Sequence, residues 1–209
     1  MYYGERLNSI SHMVGAVLAL IGFGSLLTIS IPTQDIRLIS GFCVFGISMI
    51  LLYTMSTLYH SLNPPKLKKL FKLFDHISIY LLIAGTYTPY MLIGMNNDTG
   101  NMILGLVWGL AVIGIISEIF LSGTAIKTVQ IIIYLAMGWA CSLDLEGLKQ
   151  ALPEMGYLWL FIGGISYTIG VVFYLLDKLK VLNHAHGIWH FFVLAGSIAH
   201  FISIAGFVR

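Results

Sequence analysis

Seven apolar stretches, each about as long as a membrane-spanning helix, follow one another along this sequence with only short polar breaks between them. A helix needs roughly 20 mostly apolar residues to cross the hydrocarbon core of a bilayer. The pattern therefore predicts a seven-transmembrane helix bundle and places the protein in the all-α membrane class. The predicted spans cover approximately residues 12–31, 38–60, 76–95, 101–121, 128–145, 157–176 and 185–207.

The composition leaves little of the chain for a separate soluble domain. Of the 209 residues, 58% are hydrophobic and 10% are charged, whereas about a quarter of the residues in a soluble domain are charged. We therefore predict a single seven-transmembrane domain over residues 1–209. The first apolar stretch is too long for the core of a signal peptide, and no small-residue cleavage site follows it, so we interpret it as a retained helix.

The positions of the lysines and arginines predict the orientation of the bundle. Seven spans put the two termini on opposite sides of the membrane, and cytoplasmic loops are enriched in Lys and Arg. A cytoplasmic N-terminus places eight basic residues inside and three outside, so we predict a cytoplasmic N-terminus and an external C-terminus. The inside residues are Arg6, Lys66, Lys68, Lys69, Lys72, Lys127, Lys178 and Lys180, and the outside residues are Arg37, Lys149 and Arg209.

The basic cluster from Lys66 to Lys72, which falls in the predicted break at 63–72, has two interpretations. It can bind lipid headgroups, since each basic residue near an anionic surface contributes about 1 kcal/mol, or it can be a solvated loop that only fixes the topology. The net charge of +2 indicates no polybasic domain, so we expect no nucleic-acid partner.

Two features inside the spans predict how the helices pack. Glycines are expected to let neighbouring helices approach closely, and Pro89 is expected to kink or repack the third span. The glycines singled out for this role are Gly105, Gly109, Gly163 and Gly164.

Three histidines and one aspartate fall at the same end of three predicted spans. His60 ends the second span, Asp75 immediately precedes the third, and His186 and His190 begin the seventh. Residues four apart lie on one face of a helix, so the last two imidazoles can converge on one ion. Ionisable groups are costly in a bilayer and usually mark a functional site, so their coincidence favours a metal centre over helix packing alone.

The residue types at this level suit hydrolytic zinc chemistry. Three neutral imidazoles leave the fourth position of a tetrahedral zinc ion open to water, as in catalytic sites. A carboxylate that does not bind the metal can take a proton from that water, and Asp75 is the candidate general base. Ser56 lies one turn before His60 and can orient the ring or the water, or it can bond back to its own helix backbone.

These motifs resemble those of the hemolysin III family, a branch of the progesterone and adipoQ receptor superfamily, which is related to membrane hydrolases such as alkaline ceramidases. The resemblance covers essentially the whole chain. It rests on Ser56-x-x-x-His60, on Phe74-Asp75-His76 with Ala84-Gly85-Thr86-Tyr87-Thr88-Pro89 after it, on His186-x-x-x-His190 followed by His200, and on Glu5-x-x-Asn8-Ser9-x-x-His12.

The resemblance implies a seven-helix protein of the bacterial plasma membrane with an intramembrane zinc site near the cytoplasmic side. In the adiponectin receptor branch, the histidine that ends the second helix and two histidines of the seventh hold the metal. These match His60, His186 and His190, while the aspartate that matches Asp75 contacts a water molecule on the metal. Hydrolysis of ceramide-like lipid amides is attributed to that branch.

Other polar residues near the same end leave alternatives open. Glu5, Asn8 and His12 can line the entrance to the site or serve as helix caps and loop contacts, and Glu118 is at a depth suited to supporting the site. His76 points about 100° away from Asp75 around the helix. His184 is expected to face elsewhere, and His200 lies about 21 Å along the helix from His186, too far to bind the same ion.

We therefore expect a zinc-dependent hydrolase that cleaves an amide or ester bond of a lipid arriving sideways from the bilayer. His60, His186 and His190 would bind zinc, with Asp75 as the general base and Ser56 beside it. Two alternatives remain: a non-enzymatic receptor or regulator of membrane lipid composition with a structural zinc, and a cytolysin, as the family name implies. No amphipathic pore-forming stretch supports the cytolysin, and the sequence does not indicate a protein partner.

Overall fold

The computed structural model describes residues 4–209, and among them the regular structure is entirely helical. Seven helical segments are long and apolar enough to cross a membrane, which confirms the predicted fold class. The orientation of the termini stays a prediction. The α-helices are α1 (Arg6–Ser30), α2 (Ile36–Ser61), α3 (Pro65–Pro89), α4 (Asp98–Phe120), α5 (Thr124–Gly138), α6 (Leu145–Ala151), α7 (Glu154–Lys178) and α8 (Ala185–Phe207).

Several helices begin where the sequence supplies a cap. The Asp35 carboxylate accepts hydrogen bonds from the backbone N–H groups of Arg37 and Leu38 at the start of α2. The Asn97 side chain accepts one from the backbone N–H of Gly100 at the start of α4, at 2.8 Å. Each bond satisfies a backbone donor that has no partner inside the helix.

The predicted break at 63–72 is wrong over most of its length, because α3 begins at Pro65 and the basic cluster is helical. Pro65 occupies the first turn, where its missing N–H costs nothing, and the Lys and Leu residues that follow are good helix formers. The charges therefore end the apolar part of this segment but not the helix. At the other end, the α-helix gives way at Pro89 to a π-helical turn, Tyr90–Met95, which is the repacking expected there.

The predicted fifth span, 128–145, also differs from the structure. Helix α5 ends at Gly138, and the chain continues as a 3₁₀ turn, Ala140–Asp144, and then as the short helix α6. The whole segment Thr124–Ala151 forms the fifth spanning unit. Helices α1 and α2 likewise extend beyond the predicted spans at their N-terminal ends.

Close helix contacts occur at fewer of the predicted glycines than expected. A Cβ atom at Gly163 would lie 2.6 Å from Nε2 of His200, so α7 and α8 meet there. At Gly105, Gly109 and Gly164 no described atom lies within 4 Å of that position, and the expectation was wrong. Gly114 on α4, which was not singled out, packs directly against the ring of Tyr80 on α3.

The helices enclose an elongated cavity of about 200 Å³ whose walls come mainly from α3, α5, α7 and α8. Along α8 it is lined from His186 to His200, so it runs through much of the depth of the bundle. Helix α8 packs against α1 and α7, and α2 packs between α1 and α3. We call the end of the bundle that carries His60 and the first turns of α3 and α8 the histidine end.

Candidate metal centre

Three histidines from two helices meet at the histidine end of the bundle. His60 lies in the last turn of α2, His186 in the first turn of α8, and His190 one turn further along α8. Their ring centroids are 4.9 to 5.1 Å apart. One potential ligand atom from each ring lies within 4.8 Å of the other two, so the residues proposed from the sequence are brought together.

The hydrogen bonds of the three rings leave the same nitrogen available in each. The Nδ1 atom of His60 lies 2.6 Å from Oε2 of Glu5, that of His186 lies 3.2 Å from Oδ2 of Asp177, and that of His190 lies 3.2 Å from the carbonyl oxygen of Asn8. All three Nε2 atoms are buried without a hydrogen-bond partner in the described structure. A neutral imidazole that donates through Nδ1–H presents a lone pair on Nε2.

This donor set fits a metal ion. A buried polar atom without a partner costs about 1–3 kcal/mol, and three such atoms facing one another are most simply explained by a shared ligand. Nitrogen atoms at about 2.0–2.1 Å from one tetrahedral zinc ion are roughly 3.3 Å apart, so small inward movements of the rings complete the geometry. Acceptors on the second nitrogen of each ring are the usual support for histidine ligands.

Asp75 and Ser56 lie beside this centre, as their positions in the sequence suggested. Asp75 is 6% exposed and Ser56 is 1% exposed. The Asp75 carboxylate approaches the Ser56 hydroxyl and lies within electrostatic range of His60, while the Ser56 hydroxyl makes no hydrogen bond among the described residues. Asp75 and His186 both line the cavity, so the carboxylate and one of the three histidines face the same space.

Two residues left open by the sequence, Glu5 and His12, contact the histidines of the centre. Glu5 bonds to His60, and it lies just before α1, outside the spans. Although burial raises the pKa of its carboxyl group, hydrogen bonds from His60 and Asn8 and the positive charge of Lys68 lower that pKa to about 2. The His12 ring stacks on that of His190, with centroids 3.6 Å apart.

Sequence reasoning missed Asp177 as a partner of the centre. It was placed in a polar break between spans, but it lies in the last turn of α7 and bonds to His186. The sequence offered one signal, since Asp177 precedes His186 by only nine residues. The two residues therefore lie on either side of one short connection at the histidine end.

The remaining polar candidates lie away from the three Nε2 atoms. His76 and Lys127 both bond to the Glu118 carboxylate, at 3.2 and 2.8 Å, so Glu118 ties α3, α4 and α5 together. His184 is exposed just before α8 with a φ of 62°. His200 lies further along α8 between Tyr90 and Tyr167, as its distance along the helix predicts.

Comparison with known families identifies the chain. The sequence model of the Haemolysin-III related family matches residues 2–201. This chain belongs to that family. "Hemolysin-3" of Bacillus cereus is 41% identical over 204 residues, which cover 98% of this chain and 91% of the relative. "Hemolysin-3 homolog" of Bacillus subtilis (strain 168) is 38% identical over 200 residues, covering 96% and 92%.

A more distant relative supports the assignment of this Haemolysin-III protein to the wider superfamily. The adiponectin receptor protein of Drosophila melanogaster is 24% identical over 225 aligned residues, which cover 96% of this chain and 50% of the receptor. With seven apolar helices and close bacterial relatives, the chain is a multi-pass protein of the bacterial plasma membrane.

Proposed function

We propose that this protein is a zinc-dependent hydrolase that acts on an amide or ester bond of a membrane lipid. The observation that carries the proposal is the convergence of three buried, unpaired Nε2 atoms near a buried carboxylate, Asp75, which shares a cavity wall with one of the three histidines, His186. A purely structural histidine cluster would not require the carboxylate or the cavity. The zinc-dependent chemistry, the hydrolysis and the lipid substrate are all part of the proposal.

Each residue of the centre has a distinct role in this proposal. His60, His186 and His190 hold the metal through Nε2, and Glu5, Asp177 and Asn8 fix the orientation of the rings through Nδ1. A zinc ion bound there would lower the pKa of a water molecule to about 7, which supplies a nucleophile at neutral pH.

Asp75 provides the proton transfer. Its carboxylate accepts a proton from the attacking water and returns it to the leaving group of the cleaved bond, as a general acid–base residue does. Ser56, which the carboxylate approaches, restricts the orientation of Asp75. The two residues act from α3 and α2, whose mutual packing sets their separation.

The cavity supports a lipid as the substrate. Its walls are mostly apolar, with Ile79, Ile131 and Val171 among the lining residues, and it extends away from the centre along α8. An acyl chain held there would place a polar linkage at the end of the cavity where Asp75 and His186 lie. Water would be excluded from most of the chain-binding volume.

The proposal is tested with purified protein of known metal content, assayed against a panel of lipid amides and esters. We expect wild-type turnover, and loss of at least about 100-fold in Asp75→Asn with the metal retained, because general-base catalysis contributes 10²–10⁴-fold. Asp98→Asn, an exposed aspartate in the first turn of α4, is the matched control. If wild-type protein retains its metal but cleaves no lipid in the panel, the hydrolase proposal fails and a structural metal is favoured.

A further inference from the structure

Three lysines from separate helices line the cavity at the histidine end. Lys72 comes from α3, Lys127 from α5 and Lys178 from α7. Lys72 lies close enough to both of the others for their ammonium groups to repel one another. Because these residues are far apart in the sequence, only the fold brings their charges to one part of the cavity wall.

The nearby carboxylates neutralise this group of charges only in part, although both Glu118 and Asp75 lie within electrostatic range of Lys72. Glu118 already bonds to Lys127 and His76, and Asp75 is buried beside Ser56 and His60. Within residues 4–209, neither Lys72 nor Lys178 forms an ion pair. The ammonium group of Lys178 lies 5.2 Å from the centre of the Tyr174 ring, an uncharged partner.

Other lysines of the same region differ in their surroundings. Lys66 and Lys69 are exposed, as Lys72 and Lys178 are, but they do not belong to the cavity wall formed by the described residues. Lys68 lies 3.5 Å from the Glu5 carboxylate. A requirement for basic residues on one side of the membrane explains all of these lysines equally well, but it does not explain why three of them face an apolar cavity.

We propose that Lys72, Lys127 and Lys178 form a binding site for the phosphate group of an anionic membrane lipid whose acyl chain enters the cavity. Lysine ammonium groups are effective phosphate ligands, and each basic residue near an anionic headgroup contributes about 1 kcal/mol. The phosphate relieves the repulsion among the three ammonium groups, while the apolar walls receive the chain. The site is distinct from the three histidines and does not depend on the proposed hydrolysis.

The test is native mass spectrometry of the purified full-length protein, titrated with phosphatidylglycerol or with phosphatidylcholine of the same acyl chains. Wild type is expected to bind phosphatidylglycerol more tightly. The double variant Lys72→Gln/Lys178→Gln should lose about 30-fold in affinity for phosphatidylglycerol, since two contributions of about 1 kcal/mol are removed. Its affinity for phosphatidylcholine should not change. Lys127 is left intact in this variant because its loss would also break the pair with Glu118.

The double variant Lys66→Gln/Lys69→Gln is the matched control, because it removes the same amount of charge at the same end of the bundle without altering the cavity wall. It is expected to keep the wild-type preference, and thermal unfolding of each variant confirms that it is folded. An equal loss in both double variants would show a general surface attraction and overturn the site. If excess inorganic phosphate displaced the lipid, the lysines would form a site for a soluble anion, and the assignment of a lipid to this site would be wrong.

Discussion

The Nδ1 atom of His60 and the Oε2 atom of Glu5 lie 2.6 Å apart, although the residues belong to different segments separated by 55 positions. This contact joins the entry to α1 to the last turn of α2 and fixes the plane of the His60 ring. His190 is fixed from the same N-terminal segment, because its Nδ1 atom lies 3.2 Å from the carbonyl oxygen of Asn8. The start of the chain therefore orients two of the three candidate ligands.

Removing the Glu5 carboxylate should weaken metal binding without removing a ligand. Glu5→Ala is expected to lower metal affinity about 10- to 100-fold, the usual effect of losing a hydrogen-bond acceptor on a histidine ligand. Glu5→Gln should lose less, since its amide oxygen still accepts a hydrogen bond. Competition with a chelator of known affinity measures the change. Glu154→Gln, an exposed substitution at the start of α7, should match wild type, and equal affinities in Glu5→Ala and wild type would contradict the assigned role.

The metal content of the purified protein tests the ligand set itself. His186→Ala/His190→Ala removes two of the three converging Nε2 atoms, and the remaining imidazole is expected to retain little metal. His200→Ala, which removes a histidine from the same helix at a distance from the centre, should retain the wild-type content. Elemental analysis gives both values. Substoichiometric metal in wild type and double variant alike would remove the basis for a metal centre.

Much of the fold was predictable because a bilayer imposes a simple length requirement on apolar segments. The boundaries were less predictable, as α3 shows. The predicted break at 63–72 leaves Lys66 and Lys72 outside the third span, but lysine is compatible with a helix that extends beyond the apolar core. The division of the fifth span at Gly138 also carries no clear signal, because the residues on both sides are apolar.

The sequence predicted those residues of the candidate site whose depth in the bundle is set by the ends of the helices. Two histidines four residues apart on α8 and one at the end of α2 come to the same level whenever the spans alternate in direction. Their hydrogen-bond acceptors could not be assigned in this way. Glu5 and Asp177 lie at the edges of spans, where side-chain direction depends on loop conformation and on the packing of α1 and α7 against α8.

A glycine contact on α4 provides a test of the helix packing. Gly114→Ala is expected to destabilise the protein by about 1–3 kcal/mol, because its methyl group would overlap the buried ring of Tyr80 and force it to move. Gly105→Ala, on the same helix, meets no described atom within 4 Å and should be neutral or slightly stabilising. Thermal unfolding in one detergent compares the two. A similar melting temperature for both variants would contradict the close approach of α3 and α4 at this position.

Substitution of the buried residue His12 is expected to stabilise the protein, whereas most substitutions of buried residues destabilise it. His12 is 3% exposed, and both ring nitrogens are buried without a hydrogen-bond partner in the described structure. His12→Phe keeps an aromatic ring against His190 and Tyr53 but removes two polar atoms, each costing about 1–3 kcal/mol when unpaired. We therefore expect a higher melting temperature in metal-free protein, and an unchanged metal content, because the three converging ligand atoms do not include His12. Loss of metal would make His12 part of the ligand set, and a lower melting temperature would show that its nitrogens have partners in the folded protein.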